Sequence, residues 1–271
     1  LYASGRAALV ALLAHLRAAT GRDEVVLPAY CCYSVAAAAV AGGLSVRLVD
    51  VDERGRLDAD ALARMPLERA CAVVVANLFG LAEPIEAVVE IAGRSGCAVV
   101  DDAAQSLGAR DESGPAGARG DAGVLSFGRG KPVCALGGGA LVGSPAGAGA
   151  PPAPSPPSPR PGAALARALA WDVASRAPIF RMLAAIPALH IGETIFDPDI
   201  EVEAISGAAL CLLGPALAGL EADAERRRRI ALDLAARLAA GSPWRPLLAA
   251  RPEGGVYPRL TLLAPDETTR D

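Results

Sequence analysis

One lysine stands alone among the basic residues of this chain. Lys131 is the single lysine in a sequence that holds 26 lysine and arginine residues in total. Arginine is effectively always protonated, whereas a partly buried lysine loses its proton and forms a Schiff base with a carbonyl compound. The segment 124–131 starts as an apolar run and ends at Lys131, and the glycines 137–139 follow closely. This context favours a reactive lysine near a glycine-rich turn; the alternative is a surface lysine left by codon bias.

Two acidic residues follow an apolar run upstream of the lysine. Asp101 and Asp102 come after Val99 and Val100, which predicts a buried strand with both carboxylates at its carboxyl end. Ligands of open parallel sheets bind at that edge. Because successive strand residues face opposite sides, one aspartate points to each face. A pyridoxal-phosphate enzyme needs a carboxylate here to keep the pyridine nitrogen protonated; either residue taken alone could instead be a helix cap or a solvent-facing acid.

A third segment has the residue types of a phosphate site. Ser4, Gly5 and Arg6 open a predicted helix, where free backbone amides bind anions and glycine permits close approach. Ser126, five residues before Lys131, offers a hydroxyl to the same phosphate. A Ser-Gly pair before a helix serves equally well as an ordinary helix cap.

Composition argues against several other classes of protein. The 271 residues are 52% hydrophobic but only 4% aromatic, so the core must consist mainly of alanine, valine and leucine. The net charge of −4, with acids and bases interspersed, argues against a nucleic-acid partner. The six cysteines form no CxxC pair, which argues against zinc and fits a reducing cytoplasm. No window makes a convincing membrane span, because Gly214-Pro215 breaks 204–220 and charged residues interrupt 163–191.

Helical and strand-like segments alternate through the first half of the chain. This alternation predicts an α/β fold with a mostly parallel sheet sandwiched by helices. The predicted elements are helix 5–19, strand 24–27, helix 34–41, strand 46–51, helix 58–65, strand 71–79, helix 84–93, and strands 98–102, 124–127 and 140–143.

The composition changes sharply after residue 143. We expect a large domain at 1–143, a proline-rich linker at 144–162, an apolar helical connection at 163–203 and a smaller α+β domain at 204–271. The second domain should contain helices 204–213 and 217–238 and a strand at 256–263. Since the first motif begins almost at the first residue and the chain stops soon after the last strand, we expect both domains to be incomplete.

Taken together, these segments resemble the DegT/DnrJ/StrS-type sugar aminotransferases, which are pyridoxal-phosphate enzymes of the aspartate aminotransferase fold. The resemblance covers residues 3–143 well and 204–238 more loosely. The motifs that carry it, in family order, are Ser4-Gly-Arg-Ala-Ala-Leu9, Val26-Leu-Pro-Ala-Tyr30, Val49-Asp-Val-Asp52, Val75-Ala-Asn-Leu-Phe-Gly80, Asp102-Ala-Ala-Gln105, Gly120-Asp-Ala-Gly123, Ser126-Phe127 with Lys131, and Gly137-Gly-Gly139.

The resemblance implies a role for each candidate residue. Lys131 would hold pyridoxal phosphate and act as the catalytic base, Asp102 would pair with the pyridine nitrogen, and Gln105 would lie near the phenolic oxygen of the ring. Ser126 and the backbone amides of Gly5 and Arg6 would bind the phosphate. Replacing Asp101 should then have only a mild effect. The implied reaction transfers an amino group from an amino acid such as glutamate to a keto-sugar, nucleotide-linked in this family, in a homodimer.

The chain departs from the family pattern at several positions. Arg6 stands where the family has threonine, and Asn77 replaces the usual histidine. The aromatic ring that stacks on the cofactor is expected at Cys32, so Tyr30 or Tyr33 would have to replace it. Two alternatives stay open: a related elimination or dehydration, against which Lys131 argues because the dehydratase branch has histidine there, and an inactive relative that only binds or regulates.

Overall fold

Ten strands and seven helices occur in the computed structural model, which describes residues 1–157, 166, 170, 173–174, 176–186, 196–239, 241–249 and 251–266. The strands are β1 Glu24–Pro28, β2 Ser45–Val49, β3 Ala70–Ala76, β4 Ala98–Asp102, β5 Arg110–Asp111, β6 Gly114–Pro115, β7 Ala122–Ser126, β8 Gly139–Gly143, β9 Arg245–Pro246 and β10 Leu262–Leu263. The helices are α1 Gly5–Thr20, α2 Tyr33–Ala41, α3 Ala59–Ala63, α4 Glu86–Arg94, α5 Ala177–Ala184, α6 Gly207–Ala218 and α7 Leu220–Ala239.

A six-stranded sheet in the order β2-β1-β3-β4-β7-β8 forms the centre of the fold. The first five strands pair in parallel, and only β7 and β8 are antiparallel. This confirms the predicted α/β class with a mostly parallel sheet. The strands predicted from continuous apolar runs match within one or two residues, except that β2 and β3 end earlier, at Val49 and Ala76.

Helices cover both faces of the sheet, as the apolar strands require. Along β1, Val25 packs in the core under α1 and α2, and the next residue, Val26, packs in the core under α3 and α4. All five residues of β1 are buried. A strand that is buried on both faces reads as an unbroken apolar run, because neither set of alternating side chains meets water.

The sheet brings the two aspartates to one edge between its central strands. In the register of β4, Asp101 and Asp102 lie beside Val75 and Ala76 of β3 on one side. On the other side they lie beside Gly123 and Val124 of β7. This edge is the carboxyl end of the parallel strands, where open α/β sheets bind their ligands.

The second half of the chain differs from expectation in its last strand. The predicted strand 256–263 is wrong for most of its length, since only Leu262–Leu263 is extended and pairs with β9. Val256 instead donates its N–H to the Gly80 carbonyl oxygen at 2.9 Å, Tyr257 has a φ of 40°, and Pro258 has no N–H to donate. A tertiary contact and proline therefore override the apolar pattern.

Other predictions for this half lie only partly within the described residues. Helices α6 and α7 confirm the two predicted helices, with each boundary shifted by one to five residues. Residues 158–162 of the linker and most of the connection 163–203 lie outside the described residues. The division into domains stays a prediction. Within the described ranges, no helix is long and apolar enough by itself to cross a membrane, and α6 with α7 meets that condition only as a pair bent by 60°.

The amino-terminal segment is held between two other parts of the chain. Tyr2 exchanges backbone hydrogen bonds with Gly139, each 2.9 Å long. Ala3 donates to Glu203 and accepts from Gly138, both at 2.8 Å. These bonds fix the point at which α1 begins, directly beside the start of β8.

We expect Gly139→Ala to destabilise the fold through this contact. A Cβ on Gly139 would lie 2.5 Å from the Gly5 nitrogen and from the Ser4 carbonyl, which are backbone atoms that cannot rotate away. The free energy of unfolding should fall by about 1–3 kcal/mol, measured by urea denaturation. Gly137→Ala is the matched control, because its Cβ would meet no atom closer than 3.7 Å, and it should change stability by less than about 0.5 kcal/mol. Equal effects of the two variants would contradict this account.

Candidate active site

Lys131 lies in the connection between β7 and β8. Backbone hydrogen bonds join the two ends of this connection. The Phe127 N–H donates to the Gly138 carbonyl oxygen, and the Ala135 N–H donates to the Phe127 carbonyl oxygen, both at 2.9 Å. Val133 and Ala135 pack in a buried cluster with Leu213 of α6. The Arg227 Nη1 of α7 donates to the Pro132 carbonyl oxygen at 3.1 Å. Helices α6 and α7 therefore both help to hold the lysine connection in place.

Three of the predicted site residues line one cavity at the carboxyl edge of the sheet. Lys131, Asp102 and Gln105 all face it, together with Cys32 and Asn77. Asp102 ends β4, Gln105 follows in the next turn, and Lys131 comes from the connection after β7. The sheet order places β4 next to β7, so residues 29 positions apart in sequence meet at one point.

Burial shifts both ionisable groups away from their charged forms. Burial raises the pKa of Asp102, while the N–H of Ala104, which donates to Oδ1 at 2.9 Å, and the charge of Lys131 oppose that rise. Burial also lowers the pKa of Lys131, and the nearby Asp102 carboxylate opposes that fall. A lower pKa leaves more of the lysine as free amine, which is the form that attacks a carbonyl carbon.

The start of α1 forms a cradle against the end of β7. Ser4 caps the helix, since its Oγ accepts from the Ala7 N–H at 3.1 Å. Gly5 and Arg6 are the first two residues of α1, so their N–H groups have no partner within the helix. A Cβ on Gly5 would lie 2.8 Å from the Ser126 Cβ, so only glycine lets the helix terminus approach Ser126 this closely. The Ser126 hydroxyl thus lies beside the first amides of the helix, where an anion would bind.

The remaining candidate residues do not all line the cavity that contains Lys131. Arg6 is exposed at the helix start, and its side chain does not line the cavity with Lys131. Of the three residues considered for stacking on a cofactor ring, only Cys32 lines that cavity, with its Sγ 2.8 Å from Ser34 Oγ. Tyr33 is exposed, and Tyr30 packs its ring 6.3 Å from that of Phe79. Cys32 therefore occupies the wall that the family pattern assigns to an aromatic ring.

Asp101 points to the other side of β4 and has a structural environment. Its carboxylate accepts hydrogen bonds from the side chains of Arg119 and Asn77 and from the backbone N–H groups of Gly117 and Arg119, at 2.7–3.1 Å. Asp101 and Arg119 side chains are 0% and 1% exposed. These contacts give Asp101 a structural role, and the mild effect of Asp101→Asn on turnover stays a prediction.

Asn77 links the ion pair between Asp101 and Arg119 to the backbone of Asp102. Asn77 donates from Nδ2 to the Asp101 carboxylate at 2.7 Å and to the Asp102 carbonyl oxygen at 2.9 Å. Arg119 Nη2 donates to the Asn77 Oδ1 at 2.6 Å. No pattern in the sequence pointed to Arg119, because a single arginine in a loop carries no signal that predicts burial.

Comparison with known proteins decides the family of the chain. The sequence model of the DegT/DnrJ/EryC1/StrS aminotransferase family matches residues 2–145. The chain belongs to this family. It is 31% identical over 141 residues to the UDP-N-acetyl-3-dehydro-alpha-D-glucosamine 3-aminotransferase of Acidithiobacillus ferrooxidans, which covers 52% of this chain and 38% of that protein.

Solved structures share the fold over nearly all of the chain. Helicobacter pylori PseC, an aminotransferase of pseudoaminic acid biosynthesis, has a TM-score of 0.72 at 16% identity and covers 98% of this chain and 65% of its own. The pyridoxal-phosphate form of Spr1654 from Streptococcus pneumoniae has a TM-score of 0.65 at 19% identity and covers 91% of this chain and 61% of its own. The chain thus spans less than two thirds of the length of these relatives.

We expect Arg119→Met to destabilise the protein strongly. The substitution leaves the fully buried Asp101 carboxylate without its cation, and the loss of one partner of a buried pair costs about 3–5 kcal/mol. Urea denaturation followed by circular dichroism measures the free energy of unfolding. Arg94→Met is the control, since its pair with Glu90 is 69% exposed on both sides and should contribute less than about 1 kcal/mol. A similar decrease in the free energy of unfolding in both variants would show that the buried pair stabilises the fold no more than the exposed pair.

Proposed function

We propose that the full-length protein is a pyridoxal-phosphate-dependent aminotransferase that moves an amino group from an amino acid, glutamate, to a nucleotide-linked keto-sugar. The observation that carries this proposal is the meeting of Lys131 and Asp102 in one cavity of a chain that belongs to this family. The relative from Acidithiobacillus ferrooxidans is named for transfer to a UDP-linked dehydro-sugar, which supports a substrate of that class.

The residues present fit the cofactor on the geometry of this structure. The amides of Gly5 and Arg6 and the Ser126 hydroxyl would hold its phosphate, in a cradle that a Cβ on Gly5 would fill. Asp102 would face the pyridine nitrogen, and Gln105, on the same wall, would lie near the phenolic oxygen. When bound, pyridoxal phosphate supplies an electron-accepting ring that stabilises negative charge on the substrate carbon.

The side chains of this site divide the work of binding and proton transfer. The Asp102 carboxylate, held at Oδ1 by the Ala104 amide, would keep a proton on the pyridine nitrogen of the cofactor. The Lys131 amine would accept a proton from the substrate carbon as a general base and return it to a carbon of the cofactor as a general acid. Its lowered pKa favours the free amine that this exchange needs. The helix terminus and Ser126 would hold the phosphate, so that the reacting atoms would keep one position.

We also propose that the protein acts in the cytoplasm as a homodimer. The exposed side chains of Leu210 and Leu217, seven residues apart on one face of α6, leave an apolar surface on the same helix whose Leu213 packs on the lysine connection. Apolar surface of this kind is commonly covered by another subunit, and twofold dimers are the commonest oligomers. The six cysteines are all free, which fits a reducing compartment.

We expect Lys131 to carry the cofactor in the full-length protein. Wild-type protein with pyridoxal phosphate should show a visible absorbance band and release 2-oxoglutarate when supplied with glutamate and a UDP-linked keto-sugar. Borohydride reduction and peptide mapping should place the label on Lys131. Lys131→Arg should lose both band and turnover, because a guanidinium cannot act as the amine nucleophile.

A control variant tests whether the label depends on the site rather than on any lysine. Arg94→Lys adds an exposed amine on α4, since the Arg94 side chain is 69% exposed, and it should stay unlabelled at stoichiometric cofactor. Label on that new lysine in equal yield, or a label in the full-length protein confined to a residue other than Lys131, would contradict the assignment.

We expect Asp102→Asn to keep the cofactor bound but to reduce turnover. The neutral amide no longer holds a proton on the pyridine nitrogen, so the ring accepts electrons less well. The loss in kcat should be roughly 100-fold or more, as for other electrostatic contributions to a transition state. Asp60→Asn, an exposed residue in the first turn of α3, is the matched control and should leave kcat unchanged. Equal kcat values for wild type and Asp102→Asn would remove Asp102 from the proposed chemistry.

A further inference from the structure

A second cavity lies apart from the one that contains Lys131. It measures about 180 Å³, and its wall includes Arg54 and Arg56 from the loop after β2, Glu83 from the loop after β3, and residues 247–249 after β9. No residue lines both cavities. An apolar cavity of about 150 Å³ is large enough to hold benzene, so this one has room for a small organic ion.

One side chain in this wall is buried with a carboxylate oxygen that accepts no hydrogen bond from the described residues. Glu83 is 9% exposed, and its Oε2 has no hydrogen-bond partner among the described residues. The nearest cation is the Arg56 Nε at 3.9 Å, beyond hydrogen-bond distance. That guanidinium is already committed, because its Nε and Nη2 donate to Asp52 at 2.7 and 2.6 Å. A buried carboxylate oxygen with no donor is a costly arrangement, and an N–H from a ligand would relieve it.

Glu83 is also held rigidly by its own backbone. Its N–H donates to the Asn77 Oδ1 at 3.0 Å, and its carbonyl oxygen accepts from Arg119 Nη1 at 2.8 Å. Since both partners belong to the buried network around Asp101, the backbone of Glu83 is fixed before any ligand arrives. A fixed acceptor loses less conformational entropy when it binds a donor.

The other carboxylates of the wall are paired or exposed, whereas Glu83 is buried. Four carboxylates and two guanidinium groups line the cavity: Glu83, Glu86, Asp111, Glu112, Arg54 and Arg56. Arg119 pairs with Asp111, Arg251 with Glu112, and Arg54 donates to the Leu248 carbonyl oxygen at 2.5 Å. The acceptor that stays unmet is therefore Glu83, and Leu81, Leu247 and Leu248 supply an apolar surface beside it.

We propose that this second cavity binds a small alkylammonium ion, which donates an N–H to Glu83 Oε2 and packs its alkyl groups against the leucines. The chemical class is a cation with at least one N–H and a few aliphatic carbons. Glu83 provides charge and hydrogen bond, and the leucine wall excludes strongly hydrated ions. The proposal is independent of the reaction at Lys131.

The binding should depend on pH through Glu83. Burial raises the pKa of Glu83 to about 7; Arg56, Arg54 and Arg119 oppose that rise, and Asp52 adds to it. Glu86, Asp111 and Glu112 lie in the same wall. A cation binds the ionised carboxylate, so affinity should increase as the pH rises from 6 to 8.

The test uses full-length protein and calorimetric titration at pH 8 with diethylammonium chloride. This secondary ammonium ion does not form a neutral imine with an aldehyde, so a bound cofactor does not interfere. Tetramethylammonium, its isomer without an N–H, should bind about tenfold more weakly, since a hydrogen bond to a charged group contributes about 1.5–3 kcal/mol. Diethylammonium itself should bind about tenfold more weakly at pH 6 than at pH 8.

Two variants test whether the ion binds in this cavity. Glu83→Gln should abolish diethylammonium binding, whereas Glu112→Gln removes one charge from the exposed rim, where Glu112 is 72% exposed, and should keep it within about threefold. Circular dichroism checks that both variants fold. If Glu83→Gln does not fold, the comparison of isomers and of pH values in the wild type decides. No binding by the wild type, equal binding of both isomers, or unchanged binding in Glu83→Gln would overturn the proposal.

Discussion

The geometry of the site depends on the buried ion pair between Asp101 and Arg119. Two adjacent carboxylates end β4, and alternation along the strand forces them to opposite sides. The protein neutralises one of them completely, with five hydrogen bonds to Asp101. That network includes Asn77, which also binds the Asp102 carbonyl oxygen. The second carboxylate can therefore keep one fixed position in the cavity while its own charge is left for a ligand.

A second constraint is the close approach of two backbones at the start of α1. The helix terminus can lie beside Ser126 only because residue 5 has no Cβ, and β8 can start there only because residue 139 has none. Glycines on two elements, α1 and β8, thus place the first amides of the helix beside the Ser126 hydroxyl and the start of β8. Loss of side-chain volume, rather than any added interaction, creates the space in which a phosphate would fit.

The sequence predicted the elements whose burial is simple and missed those that depend on distant contacts. Val25–Leu27 and Val73–Val75 are buried on both faces, so their apolar runs are unambiguous. The facing of Asp102 toward Lys131 followed from strand alternation together with a family resemblance. Arg119 was missed because its partners lie 18 and 42 residues away in sequence. The strand expected from Val256 onward failed because the contact with Gly80 and the position of Pro258 are tertiary effects, which no local pattern contains.

Three of the buried carboxylates among the described residues differ in how many hydrogen-bond donors the protein supplies to them. Asp101 has its cation and its amides inside the protein, so its role is structural. Asp102 has one amide at Oδ1 and the charge of Lys131 nearby, which leaves the carboxylate available to a group that enters the cavity. Glu83 has an oxygen with no donor within the described chain. Burial of a charge costs free energy unless hydrogen bonds and opposite charges compensate it. A ligand that donates a hydrogen bond therefore stabilises most the carboxylate that the protein compensates least. The residues to test for binding are therefore those whose charge the fold itself leaves least compensated.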